Sequence, residues 1–324
     1  MRAWRAHQYG PYRDVLSLDT VERPDLPETG AIVRVEAASL NFPDLLAIQG
    51  KYQVKAPLPF TPGMEAAGVV LEAGAKSKYK PGDRVIANAL WGAFAEELAV
   101  PDAHLFPIPQ GLSAAQAASF VITYQTGWFA LVHRAALKAG ETLLVHGGAG
   151  GVGIAAIQLG RALGATVIAT AGSEEKLEVC RRAGAHHVID YKDGDWVNEV
   201  NRHTGGRGAD VIYDPVGGDV FDQSLKCIAW EGRLLVIGFA SGRIPDLKIN
   251  RVLLKNISIV GLYWGAYQLR DPAKVQAAHE ALSQHVARGE IAPMVWKALP
   301  LAELPEALAA LESRSSWGKV VVTP

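Results

Sequence analysis

The run most suited to chemistry is residues 143–164, Leu-Leu-Val-His-Gly-Gly-Ala-Gly-Gly-Val-Gly and onward. Within it Gly148, Gly150 and Gly153, with Gly151 and Val152 between the last two, satisfy G-x-G-x-x-G. Glycine is a physical requirement in such a turn. The backbone must reverse sharply, approach a pyrophosphate with no Cβ in the way, and let the next helix pack closely on its strand. The N-terminus of that helix then offers unpaired N–H groups and partial positive charge to the phosphates. An apolar strand precedes the motif, an amphipathic helix follows it, and a second strand comes next. That context predicts a dinucleotide site rather than a glycine-rich turn.

The end of the second strand selects between the nicotinamide dinucleotides. NAD enzymes place Asp or Glu there to accept from the ribose 2′-hydroxyl. Here Ala171 and Gly172 are small and neutral, which leaves room for a 2′-phosphate. Ser173 can donate a hydrogen bond and Lys176 can supply charge. Glu174 or Glu175 could instead serve a ribose hydroxyl, and Ser173 could be a plain helix N-cap. The expectation is NADPH.

These motifs need elements to carry them. A chain of 324 residues predicts two domains. Apolar residues at 49% and charged ones at 20% point to a globular fold. Lys and Arg number 32 against 33 Asp and Glu, net charge -1, so no basic field recruits nucleic acid or anionic lipid. Cys180 and Cys227 could form at most one bridge, and nothing around them suggests an oxidising compartment. The first residues lack the apolar core of a signal peptide, and no run of about 18 apolar residues predicts a spanning helix. The expected location is cytoplasmic, with no membrane partner.

Residues 1–109 read as short β runs at 31–37, 67–71, 83–87 and 94–100, separated by Gly74, Pro81-Gly82 and Gly92. They predict a barrel-like β domain. Ser113 caps a helical stretch at 114–120, and 124–137 reads as another helix. From Glu141 the pattern is regular βαβ. Strands are expected at 142–146, 166–170, 187–189, 210–213, 233–237 and 257–260, with helices at 152–163, 174–182, 195–202 and 220–228. This predicts a doubly wound parallel sheet. Beyond it come helix 272–288, strand 295–299, helix 304–311 and strand 319–322. So short a tail makes a poor independent domain and should return to complete the first one. The expected domains are 1–122 with 264–324, and 123–263.

Further segments carry a resemblance that spans essentially the whole chain: Asn41-Phe42-Pro43-Asp44, Pro62-Gly63-Met64-Glu65-Ala66-Ala67-Gly68, Pro81-Gly82-Asp83-Arg84-Val85, Val188-Ile189-Asp190-Tyr191, Asp214-Pro215-Val216-Gly217-Gly218, Ile237-Gly238-Phe239 and Gly318-Lys319-Val320-Val321. With the glycine loop and Ala171–Lys176 segment, the chain resembles the zinc-free quinone oxidoreductases, the zeta-crystallin group of the medium-chain dehydrogenase/reductase superfamily. The resemblance implies a GroES-like domain built from both chain ends and a Rossmann domain. It implies that Ser173, Lys176, Tyr191 and Arg314 attend the adenosine and its 2′-phosphate. It implies that Asn41, Thr126, Gly238 and Phe239 lie near the nicotinamide. Tyr191 could equally be a strand-end core aromatic, and Arg314 an exposed ion-pair residue.

Zinc members of that superfamily carry Cys-x-x-Asp and Gly-His-Glu in the first domain. Asn41 stands here at the Cys, Met64 at the His, and apolar Ile122 near the third ligand position. No metal is therefore expected, and no Lewis acid to stabilise an alkoxide. Acceptors that tolerate negative charge unaided, quinones first and α,β-unsaturated carbonyls second, become the expected substrates. Gln49-Gly50-Lys51-Tyr52 is similar to a segment carrying the catalytic tyrosine of mitochondrial enoyl-thioester reductases, which makes Tyr52 a candidate proton donor. Asp44 is expected to orient Asn41 or the loop backbone rather than act as a base. Alternative readings are an NADPH-dependent enone, 2-alkenal or enoyl-thioester reductase, and an NADPH-binding crystallin-like protein with little turnover. Strand 257–260 is a suitable edge for a homodimer.

Overall fold

Runs such as Thr142–Val145 and Thr166–Ala171 are buried on both sides of the pleat, as suits strands covered by helices on both faces. In the computed structural model, which describes residues 1–324, they join a six-stranded parallel sheet. Its order is His187–Asp190, Thr166–Ala171, Thr142–Val145, Ala209–Asp214, Ile228–Val236, Ser258–Gly261. The first of these strands in the chain sits in the middle, and the path winds outward from it in both directions. Its direction reverses between Thr142–Val145 and Ala209–Asp214, and in open α/β sheets ligands bind outside the carboxyl ends of the strands at such a reversal. Leu144, Ile168, Ile212 and Leu234 pack with Trp196, Val200 and Phe221 from the covering helices. Each such side chain contributes roughly 1.5–3 kcal/mol by leaving water.

One polar side chain enters this core. The Ser224 hydroxyl donates to Val220 C=O at 2.7 Å, so its oxygen accepts from His146 Nε2–H at 2.9 Å. His146 Nδ1 is then left to accept from the Thr170 hydroxyl at 3.0 Å. Burial pushes the ring's pKa down to about 3, so His146 is a neutral tie between two strands and a helix.

The amino-terminal region forms a mostly antiparallel sheet in the order Val295–Pro300, Lys319–Thr323, Gly30–Ser39, Glu65–Ala73, Arg84–Asn88, Leu105–Pro107, with Glu97–Pro101 also on Gly30–Ser39. Gly30–Ser39 serves several partners because register shifts at Ile32/Val33 and Val35/Ala37 bend it. Gly68 permits one of these close approaches: a Cβ there would lie 1.9 Å from Arg34 C=O. The carboxyl-terminal strand pairs antiparallel through Val321 with Ser39 and Val322 with Ala38, so both chain ends build one sheet. Val33, Val35, Ala66, Val85, Phe94, Leu304 and Val320 share its core.

The chain forms two compact units, 1–122 with 292–324 and 123–291. The first division between them falls after Ile122. The second falls at residue 292 rather than 264. Helices Gly265–Arg270 and Pro272–Ala287 pack within the second unit, where Tyr267 meets the Phe129 ring at 4.4 Å and His285 meets Trp128 at 5.6 Å. An amphipathic helix does not state which core it will cover. The expected helix 124–137 is α-helical over Val121–Trp128 and widens to a π-helix over Phe129–Arg134. The hairpin of Arg2–Ala6 with Leu16–Thr20 and the helix Phe42–Ile48 were not expected.

Candidate active site

In the second unit the glycine turn closes strand Thr142–Val145 and opens helix Gly151–Ala162, with Gly150 as N-cap. The first helical bond runs from Ile154 N–H to Gly150 C=O at 2.8 Å. The N–H groups of Gly151, Val152 and Gly153 therefore precede the ladder and are available to an anion. The glycines differ in duty. A Cβ on Gly153 would lie 2.3 Å from Gly147 C=O, and one on Gly148 would lie 2.8 Å from Cys180 Sγ. A Cβ on Gly150 would meet only Gly147 C=O, at 3.3 Å. Gly148 and Gly153 thus pack protein on protein, whereas Gly150 leaves an open backbone face.

The neighbouring strand ends lie beside this turn in the sheet order. Ser173 caps helix Glu174–Arg182, its Oγ accepting from Lys176 N–H at 3.4 Å, and its own hydroxyl hydrogen is not used in that bond. Tyr191 lies over Gly172, where a Cβ would sit 2.4 Å from the phenol oxygen. Glu174 turns along its helix to Arg181 at 2.6 Å. Gly238 and Phe239 follow strand Ile228–Val236, with the Phe239 ring against Gly217. Asp214 Oδ1 holds that region by accepting from Val216 and Gly217 N–H at 2.8 and 2.9 Å. Thr126 is half-buried on helix Val121–Trp128. Arg314 belongs to the first unit, at a left-handed turn (φ 55°) beyond helix Leu304–Glu312. It does not share a unit with Ser173, Lys176 and Tyr191.

In the first unit, Asn41 starts helix Phe42–Ile48 and is buried. Its backbone N–H donates to Asp44 Oδ2 at 2.7 Å, the carboxylate half of a capping box. Sequence reading did not single out the partner on the other side. Lys319, from the carboxyl-terminal strand, is buried and donates from Nζ to Asn41 Oδ1 at 2.6 Å and to Leu40 C=O at 2.8 Å. Glu65, fully buried, accepts from Ile122 N–H at 3.1 Å and from the Ser39 hydroxyl at 3.3 Å. Burial pushes the Glu65 carboxyl up to about 7 against the pull of the Lys319 charge. Burial likewise raises Asp44, helped by the Glu65 charge and opposed by the Asn41 N–H bond and the Lys319 charge, and it lowers Lys319 against the charges of Glu65 and Asp44. Tyr52 is half-buried just past the same helix, its N–H on Leu46 C=O at 3.2 Å.

Two family models match the chain: an alcohol dehydrogenase GroES-like domain over residues 27–110 and a zinc-binding dehydrogenase domain over residues 151–284. Mouse quinone oxidoreductase-like protein 2 is 41% identical over 293 residues, 90% of this chain and 84% of that protein. The quinone oxidoreductase of Thermus thermophilus, solved also in complex with NADPH, is 35% identical with a TM-score of 0.86 over 100% of both chains. The CurK enoyl reductase is 26% identical with a TM-score of 0.89, covering 99% of this chain and 98% of its own.

The chain belongs to the quinone oxidoreductase group of the medium-chain dehydrogenase/reductase superfamily.

The first unit is thus the GroES-like part of this oxidoreductase and the second its Rossmann part. The name of the second family model raises the question of zinc. No three His, Cys, Asp or Glu side chains are grouped to hold a metal ion. The Asn41 carbonyl already faces the Lys319 ammonium, and Met64 offers only a thioether. A cation beside that oxygen and a soft, neutral neighbour do not fit zinc. The glycine turn, by contrast, fits a dinucleotide. No helix of this oxidoreductase is long and apolar enough to cross a membrane.

Proposed function

We propose that this oxidoreductase transfers a hydride from NADPH to a quinone without a metal ion. The observation that carries the reading is the Lys319 ammonium on the Asn41 carbonyl, in the region where a zinc enzyme would need metal ligands. An acceptor reduced there must bear negative charge without a Lewis acid, as a quinone does by delocalisation. When bound, NADPH supplies the hydride from C4 of its nicotinamide.

The chain's own residues bind and orient. Gly148, Gly150, Gly151, Val152 and Gly153 receive the pyrophosphate, with the open face of Gly150 allowing close approach. Gly172, Ser173, Lys176 and Tyr191 attend the adenosine and 2′-phosphate. No acid stands at the strand end after Ala171, and Glu174 is drawn off by Arg181. Thr126, Gly238 and Phe239 border the nicotinamide. Asn41 donates to the acceptor's developing oxyanion, with Asp44 holding its backbone. A second copy of the chain pairs along strand Ser258–Gly261, the free edge of the parallel sheet.

Stopped-flow oxidation of NADPH tests the acceptor, with 1,4-benzoquinone against an acryloyl thioester and a 2-alkenal. The expected order of kcat/KM puts the quinone first by at least about tenfold, roughly 1.4 kcal/mol of differential barrier. NADPH should be preferred to NADH, and Ser173→Ala with Lys176→Ala should erase most of that preference. A quinone rate near background with fast thioester turnover reverses the assignment. The likeness to an enoyl reductase and the position of Tyr52 favour that second reading. In that case Tyr52→Phe should lower turnover with NADPH binding intact, because protonation of the enolate's α-carbon, after the hydride has gone to the β-carbon, would need its hydroxyl.

A further inference from the structure

We propose that Lys319 is a positioning residue for the reduction, acting by turning the Asn41 carboxamide so that its NH2 group is the face presented to the acceptor. This rests on the reading that Asn41 meets the acceptor. The reasoning starts from donor inventory. An ammonium donates and never accepts, whereas a carboxamide has one accepting end and one donating end. With Nζ at 2.6 Å, only the Oδ1 end can face Lys319, since the flipped amide would set NH2 against NH3⁺. Nδ2 must therefore point away from the lysine. One of its N–H bonds has a long contact to Ser39 C=O at 3.4 Å, and the other has no acceptor in the protein.

Lys319 is itself held. Its second bond goes to Leu40 C=O at 2.8 Å, and the charges of Glu65 and Asp44 oppose its loss of the proton. The Asn41 backbone is fixed independently by Asp44 at 2.7 Å. The amide is thus set at both its main chain and its side chain before any acceptor arrives. A cation on the carbonyl also draws electron density from the amide nitrogen, which makes its N–H a stronger donor. Preorganised donors of this kind are what a developing oxyanion requires.

Asn41→Asp is the decisive variant. A carboxylate of the same shape still meets Lys319, so the fold and thermal stability should be kept. The NH2 donor becomes an acceptor, and single-turnover reduction should fall about 100-fold, the scale set by loss of an oxyanion donor. The NADPH Kd, read by fluorescence titration, should change less than about threefold. Both 1,4-benzoquinone and an α,β-unsaturated ketone are used as acceptors.

The lysine is tested by a cycle. Lys319→Met with Glu65→Gln, which removes the buried charge in pairs, should cost at least about tenfold in rate in the parent and nothing further beside Asn41→Ala. Lys319→Arg, also donor-only, should keep most of the turnover, and an arginine variant as slow as the methionine one overturns the orientation role. Additive losses in the cycle overturn the role of Lys319 while leaving Asn41 in place. Full turnover in Asn41→Asp, or a parent that reduces neither acceptor, overturns the assignment of Asn41 together with this one.

Discussion

Asp44, Glu65 and Lys319 place two acids and one base out of water in the GroES-like unit, and the arrangement has a pH signature. Burial raises both carboxyls, Glu65 to about 7. Unfolded Asp and Glu titrate near ~4. Between those values the folded chain holds protons that the unfolded chain has released, so this contribution to stability falls as pH rises from ~4 towards 7. Glu65→Gln cannot ionise. It should lose less thermal stability than the parent between about pH 5 and about pH 7.5, as melts followed by circular dichroism would show. An identical pH slope in both proteins would mean that Glu65 is already charged at the lower pH. His146 works in the opposite sense, because its lowered pKa takes stability away as pH falls below ~6.5, so the Glu65 effect is read as a difference between variants.

At the scale of elements, the turn between strand Thr142–Val145 and helix Gly151–Ala162 separates packing from binding within a few residues. Gly153→Ala forces a Cβ to within 2.3 Å of Gly147 C=O, backbone that cannot rotate away. The helix start must shift, and a loss of roughly 1–3 kcal/mol in stability is expected together with weaker NADPH binding. Gly150→Ala differs. Its φ of -78° suits any residue and its Cβ would have one contact at 3.3 Å, so stability should stay within about 1 kcal/mol of the parent. NADPH affinity should nevertheless drop at least about tenfold, because the methyl occupies the face left open for the pyrophosphate. Unfolding curves and cofactor titrations on the two variants check both halves. Unchanged NADPH affinity in Gly150→Ala would move the phosphates elsewhere.

For the whole molecule, the free edge of the Rossmann sheet is the feature that calls for a partner. Strand Ser258–Gly261 has a neighbour on one side only, and the helix before it leaves Leu253 at 74% and Leu254 at 69% exposure. An unprotected edge flanked by exposed apolar side chains suits a second copy that continues the sheet across a two-fold axis. Sedimentation velocity at micromolar concentration should give a dimer, and Leu253→Lys with Leu254→Lys should convert it to a monomer. A parent that sediments as a monomer removes this proposal. A lysine variant that stays dimeric places the interface away from this helix.

What was legible from residues alone was what short-range chemistry decides. The glycine turn, the helix Glu174–Arg182 with its Ser173 cap, and the alternation of strand and helix from Thr142 onward depend on neighbours a few positions apart. Those signals sufficed for the Rossmann fold and for the acid-free strand end. The partner of Asn41 was not legible, because Lys319 stands 278 positions away. Register brings them together: Val322 lies opposite Ala38, Val321 opposite Ser39, and Leu40 N–H reaches Val320 C=O, which leaves Lys319 against Asn41. Shifting that pairing by one residue would turn the lysine to the other face of the sheet. The second boundary at residue 292 has the same origin, since helix Pro272–Ala287 carries an apolar face that either unit could have covered. Local sequence determined the Rossmann framework and its glycine turn; only tertiary pairing decided which buried charge the first unit sets beside Asn41.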